Sequence, residues 1–383
     1  MIKMYTAYTT EADDLDDARN ELLGQLDLGA LGKNSIGIML THFDFIDTGV
    51  AQAIGEELPF DVIGMTTMAN LSGGDYNMYR LGLAVLTSDD VDFSAASTAP
   101  LTVENSDREI RAAYTKARAK SVQDPKFIIS FLPYLDDVTG ADILKTFDQI
   151  VDGIPIWGST ASGMDMSYKH CRILMNGVAE PCALTMVVVS GAVDPTFVVT
   201  NLPESNVLDI GGTVTDSNGC WLKTVDGMPF AQYMKSIGLD VGNEDVTTIP
   251  LMVNYKDGSS ADMMAFYRFF EDGSTLTGGR IPVGASISIG EIDHETIMAT
   301  VGKGLDRVLA TGRKDGLLML PCITRYIMLA PDQNAEMAYA AGKIPGTLPY
   351  SLGYSGGEVC PVMAGDGKYH NRYHNFSFSA CIF

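Results

Sequence analysis

The residues best suited to chemistry gather near the C-terminus of this chain. Leu320, Pro321, Cys322, Ile323, Thr324 and Arg325 form one run, and Gly353, Tyr354, Ser355, Gly356, Gly357 and Glu358 form a second. His374 and Asn375 follow sixteen residues after Glu358. A guanidinium makes paired hydrogen bonds to a carboxylate, and a carboxylate holds an ammonium. Glycines let a ligand approach the backbone, and a tyrosine covers apolar surface. Cys322, Arg325, Tyr354, Gly357, Glu358, His374 and Asn375 are therefore the candidate ligand-binding set, suited to a small zwitterion, with Arg325 and Glu358 as its polar anchors. The competing arrangement is that Arg325 and Glu358 pair with each other and tie two strand ends together.

Catalysis has weaker footing. Gly353 to Gly357 fits G-x-S-x-G, the turn that presents a serine nucleophile, but that turn needs a helix directly after the serine. Here Pro361 and Gly365 follow, although Asp366 and His374 stand in the right order. Ser355, or Cys322 served by His374, is the alternative reading, as the nucleophile of a hydrolase or transferase. Cys360, His370 and His374 could assemble a metal site, yet no second paired motif supports them. His294-Glu295 lacks the second histidine of a zinc-protease helix, and His42 and His170 are solitary. No phosphate-cradling glycine loop or dinucleotide fingerprint occurs. No catalytic residue, metal or cofactor is assigned.

The elements that must position these residues repeat along the chain. Pro349 opens a strand that runs into the glycine-rich turn, and shorter versions of the run begin at Pro59 and Pro155. These prolines are separated by 96 and 194 residues, close to one and two multiples of a single period. In each copy a helical stripe, an apolar strand, a second helix and the proline-opened strand succeed one another. Asp107 to Ser121, Phe127 to Leu132 and Ala141 to Val151 are the clearest middle copy, followed in the third by His294 to Ala310, Leu317 to Leu320 and Asp332 to Ala341. Pro133 and Pro321 fall just after the central strands. Cys171 to Asn176 and Cys182 to Ser190 read as a hairpin joined around Gly177. Residues 196 to 282 are richer in strands and turns. The fold class is α/β, with mixed β-sheets flanked by helices, built from internally repeated strand–helix–strand units in two domains, 1–217 and 218–383.

Composition narrows the partners. With 383 residues and a formal charge of −22, the chain carries no basic run for nucleic acid. Six cysteines without a C-x-x-C pair indicate free thiols rather than disulfides. No apolar stretch has the length of a signal peptide core or a membrane span, so a soluble cytoplasmic protein is expected.

These motifs resemble those of the FIST family, which pairs an N-terminal and a C-terminal FIST domain. Leu320 to Arg325 looks like the C-domain strand ending in a Cys-x-x-Arg turn. Gly353 to Glu358 with Pro361 looks like its glycine–tyrosine–glycine–glutamate signature, and His374-Asn375 like its closing pair. The N-domain likeness rests on Val62 to Thr67, Ile156 to Ala161 and the Asn176-Gly177 turn. Met65 stands where the family often has cysteine, and Ala69-Asn70 where it often has glycine–glutamate. The resemblance, over roughly residues 30 to 375, implies an intracellular sensory protein that binds a small polar molecule such as an amino acid. It also implies a separate signalling protein as partner and no established catalysis. Oligomerisation is compatible with it.

Overall fold

The computed structural model describes residues 1–151, 153–164, 167–241 and 249–383. Three copies of one strand–helix–strand unit account for most of them. The first contributes strands Lys3–Thr9, Asn34–Thr41, Val62–Thr66 and Leu81–Ser88. The second contributes Val91–Ser97, Pro125–Leu132, Ile156–Thr160 and Thr185–Gly191, and the third Thr196–Thr200, Leu317–Pro321, Tyr350–Gly353 and Phe378–Ile382. In each copy the second and third of these strands are parallel, and the fourth runs antiparallel beside the second.

Each copy also makes a hairpin after its third strand, and that hairpin joins a neighbour's sheet. Asn70–Ser72 with Asp75–Asn77 extends the third copy's sheet at Tyr350–Gly353. Ile173–Met175 with Val178–Glu180 extends the first copy's sheet at Val62–Thr66. Glu358–Met363 with Tyr369–His374 extends the second copy's sheet at Ile156–Thr160. The result is three six-stranded mixed sheets closed into a cycle. β-Ladders consequently run between residues 1–217 and residues 218–383 in two of the three sheets.

The alternating faces of the strands explain the long apolar runs. Phe127, Ile129, Phe131, Leu318, Leu320, Ile36 and Ile38 point into one core shared by all three sheets. Their neighbours point outward against helices: Ile128 and Leu132 towards Ser106–Arg118 and Gly140–Ile150, and Leu317 and Met319 towards His294–Ala310 and Ala335–Lys343. The third copy carries an insertion between its first strand and its first helix. The described residues of 207–290 fold there into an eight-stranded antiparallel sheet with the helix Phe230–Ser236 and a core of their own around Val214, Phe230 and Phe266. This insertion is the strand- and turn-rich stretch of the sequence, and Asn218 ends one of its strands.

Three local expectations change. The residue equivalent to Pro155 and Pro349 is Asp61, not Pro59: its carbonyl accepts from Gly37 N at 2.9 Å, as those of Pro155 and Pro349 accept from Ile128 and Leu317. Pro321 matches Leu132 rather than Pro133, since their carbonyls accept from Ser355 N and Ala161 N. The turn at Asn176-Gly177, with φ of 48° and 81°, joins Ile173–Met175 to Val178–Glu180, and Thr185–Gly191 leaves for another sheet. No helix among the described residues is long and apolar enough to cross a membrane.

The three copies meet end to end at the centre. Ser162 N donates to Thr66 O at 3.1 Å and Gly356 N to Thr160 O at 2.8 Å. A third such bond would join Met68 N to Tyr354 O. Instead the Ser162 hydroxyl spans that gap, accepting from Met68 N at 3.1 Å and donating to Tyr354 O at 2.7 Å. The ring is closed by one side chain.

Candidate functional site

The two chemistry-bearing runs lie side by side at this junction. Cys322 caps the helix Ile323–Met328 and bridges in parallel to Ser355. The Cys-x-x-Arg turn is therefore the first turn of a helix, and among the described residues the ion pair of Arg325 is with Glu336 rather than Glu358. Arg325 is fully buried and every N–H of its guanidinium is taken. Nε and Nη2 bind the Glu336 carboxylate at 3.0 and 2.5 Å, Nη1 binds Thr300 Oγ1 and Phe376 O, and Nη2 also binds Ile297 O. Tyr354 Oη donates to the second Glu336 oxygen at 2.8 Å. A closed internal triad results, in which Glu336 is the partner that sequence reasoning missed. Its signal was an acid inside the buried stripe Glu336, Met337 and Ala340 of a helix.

Glu358 is also fully buried. Its Oε2 accepts from the Ser377 hydroxyl at 2.6 Å, and Oε1 has no hydrogen-bond partner among the described residues. Burial pushes its carboxyl up to about 8, with Ser377 and the neighbouring Cys322 opposing the shift. Opposite it in register stands His374, whose Nε2 meets Cys360 O at 3.0 Å and whose Nδ1 lies 3.6 Å from Asp262 Oδ1. Asn375 N donates to Met263 O, and its Oδ1 accepts from Ala265 N at 3.1 Å, tying the C-terminal hairpin to the insertion. Gly357 is required by geometry: its φ is 146°, and a Cβ there would come within 2.2 Å of Tyr373 Oη.

Of the seven candidate residues, Cys322 and Asn375 line one cavity of about 320 Å³, together with Gly356 beside Gly357. Arg325, Tyr354, Glu358 and His374 do not line it. The cavity opens between the loop that follows Pro125–Leu132, the insertion strand Phe266–Phe269, and the C-terminal hairpin. Tyr134 and Tyr168 stack with ring centroids 4.0 Å apart and planes 7° from parallel. Asp136 and half-exposed Tyr267 also line it, and Tyr373 Oη is 2.8 Å from Thr160 Oγ1. Among the described residues no Lys, Arg or His lines it. The helix Gly140–Ile150 is set against it by a capping box between Thr139 and Asp142. Aromatic walls with a few polar groups make a place for a small organic molecule. Besides Cys322 and Asn375, the sequence held one trace of this site, the acidic loop Tyr134 to Asp137; the other tyrosines are scattered over a hundred residues or more.

The nucleophile alternative meets a chemical obstacle. Burial pushes the Cys322 thiol up to about 12, so it is held as the poorly nucleophilic thiol. Ser355 is fully buried, its hydroxyl donates to Pro321 O at 3.3 Å, and a strand rather than a helix follows it. The two histidines weighed as part of a metal site with Cys360 are spread apart. His370 and His374 lie four residues apart along one strand, about 13 Å, with His370 beside Asp366 and His374 beside Asp262. Among the described residues no three His, Cys, Asp or Glu side chains cluster as metal ligands.

Comparison with known proteins gives one family match: the model of the FIST N domain matches residues 36–228. No curated protein matches the chain. Among solved structures, that of cyanuric acid hydrolase from A. caulinodans aligns over 100% of this chain and 98% of its own, at 11% identity and a TM-score of 0.33. Likeness at that level bears on neither fold nor activity.

Proposed function

This chain belongs to the FIST family, which is associated with sensing and signalling, and on that premise we propose that it is a sensor of a small metabolite held in the aromatic cavity. The carrying observation is the cavity itself: stacked tyrosines, a buried thiol and the Asn375 amide around a space of metabolite size. An amino acid with an apolar or aromatic side chain suits these walls. Its side chain packs against Tyr134, Tyr168 and Tyr267, and its ammonium reaches Asp136 and the ring faces. Arg325, Tyr354 and Glu358 then act behind the wall as positioning residues. The protein works in the cytoplasm, and a separate signalling protein reads the occupied state. The division into an N-domain part, 1–217, and a C-domain part, 218–383, belongs to the same proposal.

The test is calorimetric titration of the purified chain with a panel of amino acids and related ring-bearing metabolites. Tyr267→Ala removes a half-exposed wall and Thr324→Trp fills the space from one side. Each should weaken binding about tenfold or more while thermal stability stays close to that of the unmodified chain. Binding that is indifferent to both variants, or absent across the panel, refutes the assignment of this cavity.

A further inference from the structure

A second cavity, of about 330 Å³, lies against the helix Gly140–Ile150 and shares only Tyr373 with the first. Its chemistry is different. Lys145, Arg280 and Lys368 line it, and among the described residues none of these side chains closes an ion pair or a hydrogen bond. The acids that share the wall are Asp257 and Asp148. Asp257 is bound by Arg372 Nη2 at 2.5 Å, and Arg372 itself is fixed over the Tyr255 ring at 3.9 Å and against Asp262 at 2.9 Å. Asp148 accepts from the Asn371 amide at 3.3 Å and feels the charges of Arg280 and His370, and His370 lies beside Asp366 at 3.4 Å. Three cations without a hydrogen bond or close ion pair among the described residues thus face one concavity, with Arg280 in the field of Asp148 and Lys368 in that of Asp366, in a chain whose formal charge is −22. A strongly acidic protein repels anions over most of its surface, so a cavity of opposite sign is a local exception.

We propose that this cavity is a second binding site, separate from the aromatic one, for a small molecule bearing a phosphoryl group. A phosphoryl dianion offers oxygens to several donors at once, and Arg280 can engage two of them side by side while the lysines supply point charges. Tyr255 and Tyr373 add apolar wall for whatever the phosphoryl group is attached to. The site does not depend on occupation of the aromatic cavity.

The experiment titrates the whole chain at low ionic strength with inorganic phosphate, pyrophosphate and a nucleoside monophosphate. Saturable binding of at least one probe is expected, weakening as salt rises. Arg280→Ser and Lys368→Ser should each lower the affinity about tenfold or more. Lys126→Ser, an exposed lysine that lines neither cavity, should leave it unchanged. Tighter binding of the nucleoside monophosphate than of free phosphate would place the phosphoryl group on a larger ligand; equal binding would name the free ion. No response to any of the three probes at millimolar concentration, or equal weakening by Lys126→Ser, overturns the proposal.

Discussion

Among single residues, Arg325 and Glu358 carry the clearest physical contrast. Both are charged types buried completely, yet one is neutralised by a partner and the other by its proton. Arg325 keeps its charge because Glu336 faces it in bidentate geometry and three further acceptors complete its donors, as a buried ion requires. Among the described residues Glu358 makes no ion pair, and burial raises its carboxyl to about 8 from an ordinary 4.5 against the weaker pull of Arg325. Between those two values the unfolded chain has released a proton that the folded chain still holds. Stability therefore falls as pH rises through that window, by at most about 1.4 kcal/mol per pH unit from this group, and levels off above it. Glu358→Gln removes that slope. Melting temperatures of the two proteins from pH 5 to 9 should converge at the acid end and separate at the alkaline end, the variant being the more stable. Parallel curves would mean that Glu358 ionises normally.

At the scale of the element, the exchanged hairpin is the organising device. A hairpin that leaves its own copy to extend the next sheet needs its strand to turn sharply at the centre, and this is where Ser162, Gly356 and Gly357 sit. Ser162 replaces a missing backbone bond with its hydroxyl and is fully buried. Ser162→Ala leaves Met68 N–H and Tyr354 C=O without that bridge, and should cost about 1–3 kcal/mol in urea denaturation. A loss below a few tenths of a kcal/mol would show that the two backbone groups meet directly once the hydroxyl is gone. The same turn delivers Gly356 to the wall of the aromatic cavity and sets Ser355 against Cys322, so small-ligand affinity should report on it as well.

At the scale of the whole molecule, the cycle of shared strands sets the cooperativity. Residues 1–217 expressed alone lack Glu358–Met363, the partner of Ile156–Thr160, and Phe378–Ile382, the partner of Thr196–Thr200. Exposed edges of that kind invite aggregation rather than folding. The fragment should show no cooperative thermal transition and no dispersed amide spectrum, whereas the full chain melts with its three sheets together. A fragment that folds on its own would assign the first two copies an independent core.

Much was legible in the chain itself, because it is governed by local rules. The three apolar strand–helix–strand units, the helix His294–Ala310, the turn at Asn176-Gly177 and the strand-rich stretch after the second copy all follow from periodicity, glycine and proline, which act over a few residues. The same reading marked Cys322 and Asn375, which line the aromatic cavity. Partner choice was not legible. Arg325 could be seen to need a carboxylate, but whether Glu358 or Glu336 supplied it depended on which way one helical turn pointed. The tyrosines at 134, 168, 267 and 373 are unremarkable in sequence and meet only because hairpins cross between copies and an insertion folds over them. Composition and short-range pattern determine which elements form and which faces are apolar. Only tertiary structure decides which distant polar groups meet, because burial makes one specific pairing necessary without saying, in the order of residues, which one it will be.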